Sequence, residues 1–421
     1  MDWFLTIQFP LSWIRLWFLE SPPNDPFKLE FLGVQRYPYL MEAQIRSSFK
    51  NHFETEPLIA FAPGRINLIG EHTDYQEGFV FPAAVQFGIW VGVQKNQLPY
   101  CRLFSLDFEE SATFDWKAFS PKKGHWSTYV MGFLAQLHQA GYKFEGFDMV
   151  IGGNIPVGAG LSSSAALSVS IGTALSALFE FNLSKLSIAR YAQKSEHQYA
   201  GVNCGIMDPY ASAFGKENTA LLLDCRVNQH EEVSLDLGEY CFLLVNSNVK
   251  HSLADSAYNQ RRAACEESVM LLTPYFPEII TLRDLKVSQL EEVQQILPEP
   301  LFPKAKHVIS ECGRVLEASS ALRENRLELF GELLKKSHQS LSQDFEVSCP
   351  ELDFLAQKAF EFSGVLGARM MGGGFGGCTI NLIKKGSIEA FKYAIAPSYE
   401  KKFGKAPSFI QVEISEGARV I

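Results

Sequence analysis

Between Gly64 and Tyr75 the chain places Arg65, Glu71, His72 and Asp74 within ten residues. Two carboxylates and an imidazole on one short turn are groups that pair with neighbouring hydroxyls of a compact polyol, because each donates or accepts in a fixed direction. Such a site rejects an analogue that lacks a hydroxyl, since the unmatched protein group is left buried and unpaired. One imidazole and two carboxylates offer too few soft ligands for zinc. In isolation the stretch also reads as a solvated polar turn. Its apolar members Ile66, Leu68 and Ile69 argue that it is fixed on a rigid element.

A second chemical segment is Pro156-Val157-Gly158-Ala159-Gly160-Leu161-Ser162-Ser163-Ser164-Ala165-Ala166. Phosphate oxygens need several donors converging with no side chain in the way. Gly158 and Gly160 let backbone come close, and a following helix start offers unpaired amides and the positive end of a dipole. Serine hydroxyls add donors or magnesium ligands. No Gly-Lys-Ser/Thr follows, so this is not a Walker loop. Alone it is equally a serine-capped turn; its place between a strand and a helix favours phosphate.

Two carboxylates twelve positions apart, Glu196 and Asp208, have the chemistry to divide a metal-ligand role and a proton role. Magnesium takes oxygen ligands and keeps waters, so one carboxylate, one hydroxyl and nucleotide phosphates suffice. Late in the chain, Gly372-Gly373-Gly374-Phe375-Gly376-Gly377 has five glycines in six positions. Backbone there must approach something closely, either a ligand or the first glycine loop.

These segments need a scaffold, and the pattern supplies one from Pro57 onward. Strands are expected at 58–62, 79–81, 87–93, 147–151, 220–224, 241–246, 379–383 and 409–414. Helices are expected over 127–140, 161–179 and 184–200 and through most of 255–341, with Asp208 on a glycine-containing loop. The expected fold class is α+β, in two lobes: residues 41–215 carrying the sugar and phosphate loops, and residues 216–421.

Composition bounds the rest. The chain has 421 residues, 47% hydrophobic and 20% charged, room enough for two domains. A net charge of −9 gives no basic stripe for nucleic acid, and anionic nucleotide must be met by a local site. Eight cysteines without paired Cys-x-x-Cys spacing read as reduced thiols of a cytoplasmic protein. The run Trp3–Leu19 is apolar, but Pro10 and Arg15 interrupt it, and it is short of the ~20 residues of a spanning helix. Neither a basic start nor a small-residue cleavage site marks it as a secretory signal. Residues 1–40 are expected to lie outside the catalytic fold as an extension, with Met41 as the true start; an interfacial anchor is the alternative.

Together the quoted segments resemble the galactokinase branch of the GHMP small-molecule kinase family. Gly64–Tyr75 is similar to that branch's signature, Pro156–Ala166 to the family's ATP-binding motif and Gly372–Gly377 to its third motif. Cys204–Asp208, Asn246–Asn248 and Tyr258–Arg262 add to the likeness. The resemblance implies a two-lobed GHMP kinase fold with the active site in the cleft, and transfer of phosphate from ATP to the anomeric hydroxyl of galactose. It implies Asp208 as catalytic base, with Arg65 beside it stabilising the transferring phosphoryl group. Glu71, His72, Thr73, Asp74, Gly205 and Tyr258 would hold the sugar. Gly158, Ala159, Gly160, Leu161, Ser162, Ser163 and Ser164 would wrap the phosphates, Ser105 and Trp126 would line the nucleoside pocket, and Ser164 and Glu196 would ligate Mg2+. Expected partners are galactose and ATP, with neither nucleic acid nor membrane, and a monomer as the default state. The rivals are a kinase for another substrate, such as N-acetylgalactosamine or mevalonate, and a non-catalytic sensor of galactose and ATP.

Overall fold

A computed structural model describes residues 38–118, 120, 124–249 and 254–421. The apolar run Trp3–Leu19 and the breaker after it lie outside the described residues. The first described helix, Pro38–Phe53, begins three residues ahead of Met41. Met41, Ile45 and Phe49 are fully buried at helical spacing and pack with Ile59, Phe61, Trp90 and Val150.

In chain order the strands are β1 Leu58–Asn67, β2 Phe79–Val80, β3 Pro82–Lys95, β4 Cys101–Ser105, β5 Glu110–Phe114, β6 Phe147–Gly153, β7 Thr219–Asp224, β8 Gln229–Ser234, β9 Tyr240–Asn246, β10 Val365–Met370, β11 Cys378–Lys384, β12 Ser408–Gln411 and β13 Arg419–Val420. They form a six-stranded sheet ordered β13-β1-β3-β6-β4-β5, a four-stranded sheet β10-β11-β9-β12 and a three-stranded sheet β2-β7-β8. β1 is apolar almost throughout because both its faces are covered. Ile59 and Phe61 join the cluster of helix Pro38–Phe53, while Ala60 and Ala62 face the core that holds helix Ser163–Leu178. The four-stranded sheet is enclosed likewise. Phe242, Leu244, Ile380 and Leu382 point to one core, and Cys241, Leu243 and Val245 point to another shared with helices Pro350–Glu361 and Ile388–Phe403.

Several expectations change. The helix expected over 184–200 is an α-helix, Lys185–Ser195, followed by a π turn, Glu196–Ala200. The strand expected at 409–414 is Ser408–Gln411, with only an isolated bridge between Val85 and Ile414 beyond it. β4, β5, β8, β10 and the helix Ile388–Phe403 are additional. β8 is mostly exposed, so it shows little apolar alternation. β13 returns from the chain's end to pair Val420 with Ala60 and Arg419 with Phe61 at the edge of the first sheet. Among the described residues no helix is long and apolar enough to cross a membrane.

Candidate active site

The end of β1 delivers the polar loop. Register shifts between Pro63 and Arg65, and a Cβ on Gly64 would sit 2.5 Å from the Leu161 carbonyl. Strand and glycine–serine loop therefore touch backbone to backbone, tied by Arg65 N–H to the Leu161 carbonyl at 3.1 Å. This contact brings two segments 96 positions apart in sequence (Arg65 and Leu161) into one site.

His72 stands in the left-handed region, φ 63°, a conformation that costs a non-glycine residue energy and needs support from its surroundings. Its Nε2 lies 3.1 Å from the Gly373 carbonyl and its Nδ1 2.9 Å from the Tyr75 hydroxyl. Burial drives its pKa down to about 3, so the ring is neutral. A carbonyl only accepts, so Nε2 carries the proton and Nδ1 accepts from Tyr75. Both ring nitrogens are thus engaged inside the protein. The ring also lies 5.1 Å from Tyr258, and both residues line a small polar hollow of about 150 Å3. Arg65, Glu71, Asp74, Gly205 and Asp208 line it too.

Thr73 is a correction. It is fully buried, and its hydroxyl points to the carbonyls of Gly70 and Phe79 at 3.0 and 2.7 Å. It closes the turn and does not line the hollow, because a small β-branched hydroxyl at this position reaches only backbone.

Beyond the hollow opens a cleft of about 740 Å3 lined by Ser105, Trp126 and the whole of Gly158–Ser164. Gly158 and Gly160 have φ 73° and 69°, which only glycine adopts freely. Ser162, the residue before helix Ser163–Leu178, makes no side-chain cap. Its hydroxyl donates to Asp208 Oδ2 instead, at 2.5 Å. The helix start therefore lacks the usual side-chain cap on its first-turn amides, as an anion site requires. Ala159 and Leu161 are buried side chains, so their part is played by backbone. Trp126 Nε1 donates to Glu110 while its ring lines the cleft.

Asp208 does not lie on a loop. It occupies the first turn of helix Met207–Phe214, where the helix dipole favours negative charge. Arg65 pairs with both its oxygens, Nε to Oδ1 at 2.7 Å and Nη2 to Oδ2 at 2.9 Å, and gives Nη1 to the Gly160 carbonyl at 2.6 Å. One guanidinium thus joins the acid, the strand that bears the polar loop and the glycine–serine loop. Ser164 borders both hollow and cleft, so the two cavities meet beside this pair.

Asp74 shares the hollow with Asp208. Burial first, then the nearby Asp208 charge, pushes its carboxyl up to about 7 from an ordinary 3.8. A Cβ on Gly205 would lie 1.9 Å from Asp74 Oδ2, so Asp74 fits only against a glycine. The raised acid has a consequence for stability. Its favourable contribution is complete below pH 4 and is lost as pH rises through 7, because folding then holds a buried charge. Asp74→Asn should therefore raise the melting temperature of the sugar-free protein at pH 8, by ~1–2 kcal/mol of stability, with the gain shrinking towards pH 5. Melting curves across that range check it; a gain that grows on acidification would contradict the assignment.

Glu196, on the π turn, is buried, which pushes its carboxyl pKa up, and it accepts hydrogen bonds from Ser164 and from Cys204 Sγ at 3.0 Å. Among the described residues no group of three or more His, Cys, Asp and Glu side chains could hold a metal. An ion here must take further ligands from a phosphate. The Ser164 hydroxyl and Glu196 carboxylate are hard oxygen donors at the mouth between the cavities, and a buried carboxyl resisting ionisation is what a divalent cation would relieve; the pair fits Mg2+.

The glycine-rich stretch Gly372–Gly377 lies against the glycine–serine loop. A Cβ on Gly160 would meet the Met371 carbonyl at 3.7 Å, one on Gly372 the Gly160 carbonyl at 3.8 Å, and one on Gly377 the Gly158 carbonyl at 3.8 Å. Two residues stand apart from the sequence-based expectations. Ser162 was grouped with phosphate donors and not with Asp208. Arg369 was not singled out, although a lone cation in the apolar run Leu366–Met371 is a legible signal.

Comparisons with known proteins show the family. Residues 47–95 match the family model described as the galactokinase galactose-binding signature, residues 128–216 the GHMP kinases N terminal domain, and residues 318–401 the GHMP kinases C terminal domain. A galactokinase of Exiguobacterium sibiricum is 42% identical over 365 residues, 86% of this chain and 93% of that protein. One from Clostridium beijerinckii is 40% identical over 90% of this chain and 98% of its own. The crystal structure of Lactococcus lactis galactokinase complexed with galactose superposes with a TM-score of 0.88 at 37% identity, covering 91% of this chain and all of that one. A mevalonate kinase structure, TM-score 0.59 at 20% identity, shares the fold.

Proposed function

Because this chain belongs to the galactokinase family of GHMP kinases, we propose a division of labour among its residues for moving the γ-phosphoryl group of ATP onto the C1 hydroxyl of galactose. The chain is an ATP-dependent sugar kinase. The observation that carries the residue roles is the Arg65–Asp208 pair standing where the polar hollow meets the phosphate cleft.

Galactose occupies the hollow, facing Glu71, Asp74, Gly205 and Tyr258, with His72 fixing the loop that carries them. ATP lies in the cleft, its base near Ser105 and Trp126 and its phosphates over Gly158–Ser164. Asp208 takes the C1 proton as the oxygen attacks in line; Arg65 holds that carboxylate in place and faces the charge that gathers on the transferring group. Ser164 and Glu196 would hold Mg2+, which when bound supplies charge neutralisation at the phosphates. Phosphoryl transfer asks the protein chiefly for alignment and electrostatics, and one arginine tying acid, sugar strand and phosphate loop meets that demand.

The division of the chain into 41–215 and 216–421 is part of this reading: the hollow draws Tyr258, Gly372 and Gly373 from the second lobe, while the nucleotide cleft is lined by residues 89–167 of the first. β13 and the β2–β7 pairing cross that boundary and would hold the lobes together. All eight cysteines are free, seven of them buried, and this supports a reducing, cytoplasmic setting.

The test is ADP release with Mg·ATP and a panel of galactose, glucose, N-acetylgalactosamine and mevalonate. Galactose should be the preferred acceptor and galactose 1-phosphate the product. ADP release indifferent to galactose, or a preference for another acceptor, would overturn the reading.

A further inference from the structure

Arg369 is fully buried on β10 of the four-stranded sheet, yet most of its donors reach the loop that leaves the six-stranded sheet. Nε donates to the Leu68 carbonyl at 2.7 Å, Nη2 to the Asn67 carbonyl and to Glu71 Oε1, the latter at 3.2 Å, and Nη1 to its own neighbour's carbonyl, Met370, at 2.6 Å. Glu71 Oε1 also accepts from the Gly372 amide at 2.7 Å. A cation that gives its hydrogen bonds to main-chain carbonyls fixes backbone; it does not recognise substrate.

The surroundings point the same way. The Glu71 carbonyl lies 3.1 Å from His307 Nε2, and the Gly70 amide donates to Glu311 Oε1 at 3.1 Å. With His72 bound to the Gly373 carbonyl, the sugar loop from Asn67 to His72 is held from the far sheet and its helices at almost every step. Arg369 is the charge at the centre of that grip. Its planar fork suits three carbonyls and a carboxylate at once, which a single ammonium does not.

We infer that Arg369 is a positioning residue for the sugar: by clamping the Asn67 and Leu68 carbonyls and the Glu71 carboxylate, it sets the sugar loop against the glycine-rich loop and fixes where Glu71 meets galactose. It touches neither substrate, and the inference rests on the galactokinase reading of the hollow. Gly372 lies against the Gly160 carbonyl, so the same clamp sets the sugar loop's distance from the phosphate loop.

Arg369→Lys tests it. The variant should raise the galactose KM on the order of tenfold, with the ATP KM within about twofold, tenfold being 1.4 kcal/mol of binding. A role in folding alone would lower the active fraction and leave both KM values unchanged; that result, or no effect, overturns the clamp. Failure of the parent chain to release ADP with galactose would count against the functional reading instead. Should the lysine variant not fold, hydrogen exchange on the parent decides. Galactose alone should slow exchange at the Gly372 amide and across 67–72, while a non-hydrolysable ATP analogue alone should not. Exchange there indifferent to galactose overturns the proposal.

Discussion

Asp208→Asn should lower kcat by on the order of 10³ while galactose still binds within a few-fold of the parent, the loss falling in the range of general-base contributions. Asparagine keeps the shape of the side chain, and its oxygen still accepts from Arg65 or Ser162, so the hollow should survive. The amide has no basicity to take the C1 proton. Steady-state kinetics beside calorimetric titration of galactose separates the two effects. The size of the drop also measures the base against the scaffold. Phosphoryl transfer through a loose transition state leaves the nucleophile's proton little developed until late. If kcat falls by less than tenfold, Asp208 serves to hold Arg65 and Ser162 and the base assignment is lost.

Arg65→Ala should have an effect at least as large on kcat, ~10³-fold or more, with a smaller rise in the galactose KM. The side chain is 5% exposed. Its removal strips Asp208 Oδ1 and the Gly160 carbonyl of this donor and leaves Oδ2 with Ser162 alone. Breaking one half of a fully buried pair costs ~3–5 kcal/mol; here the cost should be smaller, because the Asp208 side chain is 25% exposed and keeps the Ser162 hydroxyl. Arg65→Lys should recover only part of the rate, since an ammonium cannot face two carboxylate oxygens and a carbonyl together. A melting curve shows whether the alanine variant is folded. A variant that is folded, turns over at the parent's rate and shows only a raised KM would make Arg65 a uniform binding group.

Much of the site was readable in the chain because its parts are local. Gly64–Tyr75 and Pro156–Ala166 announce their chemistry through residue type and spacing over about a dozen positions, and local backbone rules hold over that range. The strands and helices that bear them were legible for the same reason: Ser127–Gln139 and Ser163–Leu178 carry apolar residues through successive helical turns. Errors gathered where local pattern loses authority. β8 is exposed and β13 is two residues long, so neither has enough apolar alternation to register. Thr73, embedded among sugar-binding candidates, proved to serve the turn. Asp208 moved from loop to helix start because Pro209, a chain breaker inside a helix, is acceptable in the first turn, where its missing N–H has no partner to lose.

By itself, then, the sequence determined which functional groups the site contains and which backbone segments could approach a phosphate. Only the tertiary structure decided their pairing: Arg65 with Asp208 across 143 positions, His72 with Gly373 across 301, Arg369 with Asn67 across 302. The reason is physical. A hydrogen bond depends on distances of a few tenths of an ångström, whereas residue spacing along a chain constrains only its near neighbours. The neutral His72, the raised Asp74 and the use of Ser162 for the acid in place of a helix cap all depend on burial and on partners supplied by remote segments, which come together only once the chain has folded.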